Sequence, residues 1–155
     1  MIHGKIIHPG GDISKAIEVR KQVFVEEQNI PLEIELDDID AISTHVVLFD
    51  DNEKPVGTGR VYPVDEGICM IGRVSVLKEC RRKGYGDFAV RILMNYAFRH
   101  GAKKIEIHSQ VPVVPFYESI GFKAEGDPFE EDTVMCLQMS IYPHQITTKC
   151  GHCHT

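Results

Sequence analysis

Arg81, Arg82 and Lys83 stand directly before Gly84, Tyr85 and Gly86, between a β-branched stretch and an amphipathic one. That order of residue types suits the binding of a pyrophosphate. The first N–H groups of a helix lack internal partners and lie at the positive end of its dipole, so a loop that wraps closely there can hold phosphate oxygens. Glycine at 84 and 86 removes side chains that would keep those oxygens off the backbone, and the three cations add charge. No Gly-Lys-Ser/Thr follows, so this is not a Walker loop. The third glycine and the acidic ribose ligand of a dinucleotide fingerprint are missing as well. Coenzyme A remains as the natural pyrophosphate cofactor.

Cysteine supplies the other reactive groups. The five thiols are odd in number and scattered, which fits reduced intracellular cysteines rather than a disulfide framework. Cys136 falls on an alternating stretch and reads as a small buried residue, not a nucleophile. Cys150, His152, Cys153 and His154 offer metal donors, but a terminus without ligands from a second segment is a poor cage, so residues 143–155 are expected to form a flexible tail with no functional metal site.

The elements that would position the loop follow from periodicity. Residues 2–7 predict a strand ended by Pro9, Gly10 and Gly11; Asp12 or Ser14 then caps a helix with Ile13, Ala16, Ile17 and Phe24 inward, closed by Pro31. Residues 45–49 and 55–62 predict a hairpin, and residues 69–77 the next strand. Residues 84–99 predict the strongest helix, with Phe88, Ala89, Ile92, Leu93, Tyr96 and Ala97 on the apolar face and Gly101 as terminator. A strand at 104–108 completes a strand–helix–strand crossover, so these two strands should run parallel. A short helix at 112–119 and a closing antiparallel pair at 122–124 and 133–141 finish the chain. Residues 1–142 therefore make one domain.

At 155 residues with 43% hydrophobic and 26% charged residues, the chain can bury one core. No apolar run of about 18 residues and no signal-peptide core occurs, which predicts a cytoplasmic protein without a membrane partner. The net charge of −6 argues against nucleic acid. No Lys or Arg lies between Lys21 and Lys54, where Glu26, Glu27, Glu33, Glu35, Asp37, Asp38 and Asp40 gather. This acidic stretch is read either as a site for a cationic acceptor or as a solvated face.

Taken together, these residues resemble the GNAT superfamily of N-acetyltransferases, whose coenzyme A motif Q/R-x-x-G-x-G/A is matched by Arg81, Gly84 and Gly86. The run from Arg20 to Pro31, then Glu35, Asp37, Asp40, His45, the 55–60 stretch, Ile71 to Val74 and Phe116 to Phe122 are similar to the ElaA-like or YjcF-like branch. The resemblance implies a mixed α/β (α+β) fold: a mostly antiparallel sheet of six to seven strands, one crossover and about four flanking helices. The sheet should splay where the strand ending near Leu77 leaves the one ending near His108, and acetyl-coenzyme A should enter there. It further implies that Val74, Ser75 and Val76 pair through their backbone with the pantetheine arm. Arg81, Arg82, Lys83, Gly84, Tyr85 and Gly86 would hold the pyrophosphate, and Tyr117 would protonate the departing thiolate.

The implied reaction is direct attack by a small-molecule amine in a ternary complex, without a metal. The amine must be neutral to attack, so a general base is expected. Glu27, Glu35, His45 and His108 are candidates; Glu27 ends a helix beside a segment that borders the acceptor site in related enzymes, and Glu27 and His108 are carried forward with Tyr117. Gln110 could orient substrate. The branch's Gly-Ile-Pro-His run is replaced here by Thr133-Val134-Met135-Cys136, so that histidine's role does not transfer. The N-terminal half also resembles acyl-homoserine-lactone synthases, which lack this loop, and a non-catalytic acyl-coenzyme A sensor is the alternative from another class. A homodimer is the default assembly.

Overall fold

The structure, a computed structural model, describes residues 1–148. A seven-stranded sheet in the order β1-β2-β3-β4-β5-β7-β6 forms its centre. Strands β1 (His3–Ile7), β2 (Thr44–Phe49), β3 (Pro55–Asp65) and β4 (Ile68–Val76) run antiparallel in succession. The long helix α3 (Tyr85–Arg99) crosses to β5 (Lys104–Gln110), which pairs with β4 in parallel. β6 (Lys123–Glu131) and β7 (Val134–Ile141) close the sheet as an antiparallel hairpin. Helix α1 (Ser14–Arg20) runs on as a π-helix through Glu27; α2 (Leu32–Glu35) is a single turn, and α4 (Val114–Ile120) follows β5. The mixed fold, the mostly antiparallel sheet and the crossover agree with the sequence reading.

Helices cover both faces of the sheet. Gly59 on β3 lies against α3: a Cβ there would stand 2.9 Å from Cδ1 of Leu93, so any larger residue would have to push the leucine aside. Side chains alternate along a strand, so the neighbouring Arg60 projects to the other face, where its guanidinium shares Asp40 with Arg20 of α1. The core is filled by Val46, Leu48, Leu93, Met94, Ile105, Ile107 and Met139, all at most 1% exposed.

Three expectations need correction. The buried face of α3 is Ala89, Val90, Leu93, Met94 and Ala97, while Phe88 is 37% exposed; the stripe is turned by about one position because α3 lies across β2, β3 and β4. β6 extends far beyond residues 122–124. Gly126 and Pro128 read as breakers, but β6 is an edge strand whose register shifts between Glu125 and Phe129, and such a position tolerates proline. The docked chain also passes residue 142: Ile146 packs on the core and Thr147 N–H donates to the carbonyl of Ile120 at 2.9 Å. Cys150 to His154 lie outside the described residues.

β4 and β5 pair only over Ile68–Ile71 and Lys104–Ile107. Beyond that, β4 stays with β3 and β5 turns to β7. A register shift aids the divergence. Two residues of β4, Arg73 and Val74, lie between the partners of Thr58 and Arg60, where β3 has only Gly59, and Arg73 takes a positive φ of 52°. An extra residue of this kind sharpens local twist and re-aims the strand. The result is the splay expected between the ends of β4 and β5.

Candidate active site

The splay opens into two cavities. The larger, about 510 Å³, is bounded by Val74, Ser75 and Val76 on β4, by Arg81, Arg82 and Gly84 to Gly86, and by Phe116 and Tyr117 on α4. Of the residues expected to hold the cofactor, Lys83 alone is not in its wall. Gly84 caps α3 with φ +82°, two residues after Arg82 at φ +64°, so the chain turns sharply and brings the first turn of α3 into the cavity wall. A Cβ at Gly86 would stand 3.4 Å from the Phe116 ring and 3.8 Å from Val76, narrowing the passage. The Ser75 hydroxyl is buried and has no partner among the described residues, leaving a polar atom on this wall for a ligand amide. A cradle of backbone amides, an orphan hydroxyl and an apolar floor suits a pyrophosphate with an extended arm.

The smaller cavity, about 180 Å³, lies on the other side of Tyr117. His108 and Gln110 of β5, Glu35, Arg73, Glu131 and Cys136 form much of its wall. Gln28, Val74, Val113 and Tyr117 belong to both cavities, so the two meet at the tyrosine. Tyr117 is 9% exposed, its ring held edge-on by Phe116 at 4.9 Å and Phe122 at 5.6 Å. Burial pushes its hydroxyl far above the ordinary phenol value, which keeps the proton on the oxygen.

His108 Nδ1 lies 2.8 Å from Oε2 of Glu131. Glu27 is placed otherwise than the sequence suggested. Its two oxygens accept from Arg81 at 2.6 and 2.7 Å, and it borders neither cavity at Tyr117. The hydrogen bonds from Arg81 lower its carboxyl below the usual range, so it is a weak base held at the cofactor loop. His45, another candidate, is 1% exposed, with Nε2 at 3.2 Å from the carbonyl of Asp40, and is absent from both walls.

Within the acidic stretch Glu26, Glu27, Glu33 and Asp38 lie exposed, whereas Glu35, Asp37 and Asp40 are drawn into a network of arginines. Arg20, 1% exposed, donates from Nε to Glu35 at 2.6 Å, from Nη1 to Asp40 at 2.7 Å and from Nη2 to the Glu35 carbonyl at 2.7 Å. Arg60 binds Asp37 at 2.6 Å and Asp40 at 2.9 Å, and Arg73 reaches Glu35 at 3.3 Å. Burial would raise Asp37 and Asp40, but the arginine hydrogen bonds and charges outweigh it and both are lowered. For Glu35 burial prevails over Arg20 and Arg73, and its carboxyl is raised. The network ties α1, α2 and β3 to the bulge of β4 at Arg73, which lines the smaller cavity. A sequence signal existed: Arg20 falls on the inward stripe of Ala16, Val19, Val23 and Phe24.

Residues 14–122 match the Acetyltransferase (GNAT) family. The chain is 38% identical over 128 residues to the uncharacterized N-acetyltransferase YjcF of Bacillus subtilis (strain 168), covering 82% of this chain and 90% of that one. Among solved structures, Escherichia coli ElaA superposes with a TM-score of 0.80 at 25% identity, over 90% of this chain and 99% of ElaA. An acyl-CoA N-acyltransferase from Pseudomonas aeruginosa shares the fold, with a TM-score of 0.79 at 23% identity over 90% and 99% of the two chains. With the loop, the splay and these matches in place, the chain belongs to the GNAT family of acetyltransferases. Among the described residues no helix is long and apolar enough to cross a membrane.

Proposed function

We propose that the protein transfers the acetyl group of acetyl-coenzyme A to a primary amine of a small cationic molecule, by direct attack in a ternary complex. The meeting of two cavities at Tyr117 carries this reading, because one can seat the cofactor arm while the other admits an acceptor. The loop from Arg81 to Gly86 holds the pyrophosphate, and the backbone of Val74 to Val76 aligns the arm as an added strand. Backbone amides at the β4 bulge face the oxyanion that forms on attack. His108 takes the proton that the amine loses, and Tyr117 donates its proton to the departing thiolate. Glu27 fixes Arg81 rather than moving protons. A cationic acceptor is favoured by Glu131 and Asp132 at the smaller cavity, since Glu35, Asp37 and Asp40 are already matched by arginine.

Calorimetric titration with acetyl-coenzyme A, beside a Gly84→Glu, Gly86→Glu double variant, tests the cofactor site, and a thiol-release screen across amines tests transfer. Binding by the parent alone with turnover of cationic amines is expected. Absence of binding by the parent would remove the reading. Binding without transfer to any amine would make the protein an acyl-coenzyme A sensor, and turnover of phosphorylated or carboxylated acceptors alone would overturn the charge argument.

A further inference from the structure

The tip of the β6–β7 hairpin is curled over the sheet in a way that register alone would not produce. His108 on β5 lies opposite Gln138 on β7, whereas Glu131 on β6 pairs with Val134, four positions further along β7. In a flat sheet, with strands about 4.8 Å apart and about 3.3 Å per residue, the Cα atoms of His108 and Glu131 would be about 16 Å apart. The observed 2.8 Å contact between their side chains therefore requires the hairpin to fold back across β7.

Two features make the fold-back. Between Glu125 and Phe129 the β6 strand carries two residues more than its partner, with Gly126 at φ +77°, which coils the hairpin. Asp132 and Thr133 both take positive φ, 50° and 69°, in a tight two-residue turn that fixes Glu131 as the last paired residue. Phe129 and Glu131 then project from the same face of β6 onto one imidazole. The Phe129 ring meets His108 edge-on at 5.1 Å and 80°, and the Glu131 carboxylate meets Nδ1.

We propose that Glu131 is a positioning residue for acyl transfer, accepting the Nδ1–H of His108 so that Nε2 is the nitrogen left with a lone pair for the amine proton. This rests on the reading of His108 as the base. A carboxylate on one ring nitrogen selects the tautomer, stops rotation of the ring and stabilises the imidazolium that forms when the proton arrives. The other charged or titratable groups of this cavity are Glu35 of α2, Arg73 of β4, Tyr117 of α4, Asp132 of the turn and Cys136 of β7. Of these groups and Glu131, it is Glu131 whose carboxylate lies 2.8 Å from Nδ1. Its side chain is 44% exposed, so the effect of its charge is moderated by water.

The test compares parent and Glu131→Gln, which keeps shape and loses charge, with an amine found in the thiol-release screen. Glu131→Gln is expected to lower kcat about five- to tenfold with the KM for acetyl-coenzyme A unchanged. Nitrogen-15 NMR of the imidazole, assigned with His108→Gln, should show the Nδ1–H tautomer in the parent and a mixture in Glu131→Gln. An Nε2–H tautomer in the parent, or a variant with unchanged rate, would overturn the proposal. Lack of transfer by the parent to every amine would sink the acyltransfer reading instead, and the NMR result would still decide the tautomer.

Discussion

Replacing Arg20 with methionine keeps most of the side-chain volume and removes the charge at the centre of the buried network. The substitution leaves Glu35, 2% exposed, with Arg73 at 3.3 Å as its remaining partner, and Asp40 with Arg60 at 2.9 Å. Breaking a buried pair by deleting one partner costs about 3–5 kcal/mol, because the other charge stays out of water uncompensated. Both carboxylates keep a second arginine here, so the low end, about 3 kcal/mol, is expected. In a chain of this size that corresponds to a fall in Tm of about 6–12 °C. Urea unfolding of parent and Arg20→Met measures it. The double variant Arg20→Met, Glu35→Met should cost less than the sum of the two singles by at least about 1 kcal/mol, since one deletion relieves the strain left by the other. A loss below about 1 kcal/mol in Arg20→Met, or strict additivity in the cycle, would refute the account of the network as a set of mutually dependent charges.

Tyr117→Phe should leave the affinity for acetyl-coenzyme A within about twofold while lowering kcat by about 10–100-fold, the span expected of a general acid; equal rates in stopped thiol-release assays would remove the tyrosine from the chemistry. Glu27→Gln should keep kcat within about threefold and shift stability by less than about 1 kcal/mol, because its pair with Arg81 is about one-third exposed. A hundredfold loss would restore Glu27 as the base. Stability against pH should reflect the network in two opposed ways, read by urea titrations from pH 3 to 7. Asp37 and Asp40 have folded values below 3.8, so their contribution is in place above pH 3.8 and is lost as pH falls through the folded values. Glu35 has a folded value above 4.5, so from 4.5 upward to that value the native state holds the extra proton and stability declines as pH rises. Removing Glu35 as methionine should abolish the second trend and leave the first.

The cofactor side of the molecule was readable because its signals are local. The cations, the glycines at 84 and 86 and the following amphipathic stretch lie within about twenty residues, and the crossover rule then fixes where the strands lead. The acceptor side was less readable because its partners come from distant segments. The inward position of Arg20 could be read from its helical stripe, but that Arg20, Glu35, Asp40 and Arg60 neutralise one another shows only in the tertiary packing. The same holds for Glu131: in sequence it belongs to an acidic hairpin tip, and its meeting with His108 depends on two extra residues that look like loop punctuation. The setting of Glu27 was hidden for a related reason. Its position at the end of a helix was inferred correctly, but the cation opposite it, 54 residues away, decides what its oxygens can do.

The parting of β4 from β5 has a meaning for the protein's behaviour in a crowded solution. A strand with unpaired amides and carbonyls is a template that other chains can join, and proteins usually blunt or cover such edges. Here the unpaired stretch opens in the middle of a sheet, with α4 on one side and the loop before α3 on the other. A foreign strand with full-sized side chains would have to pass both Phe116 and the turn at Gly84, which line this opening. The fold thus screens an open row of backbone groups from other polypeptides without pairing it.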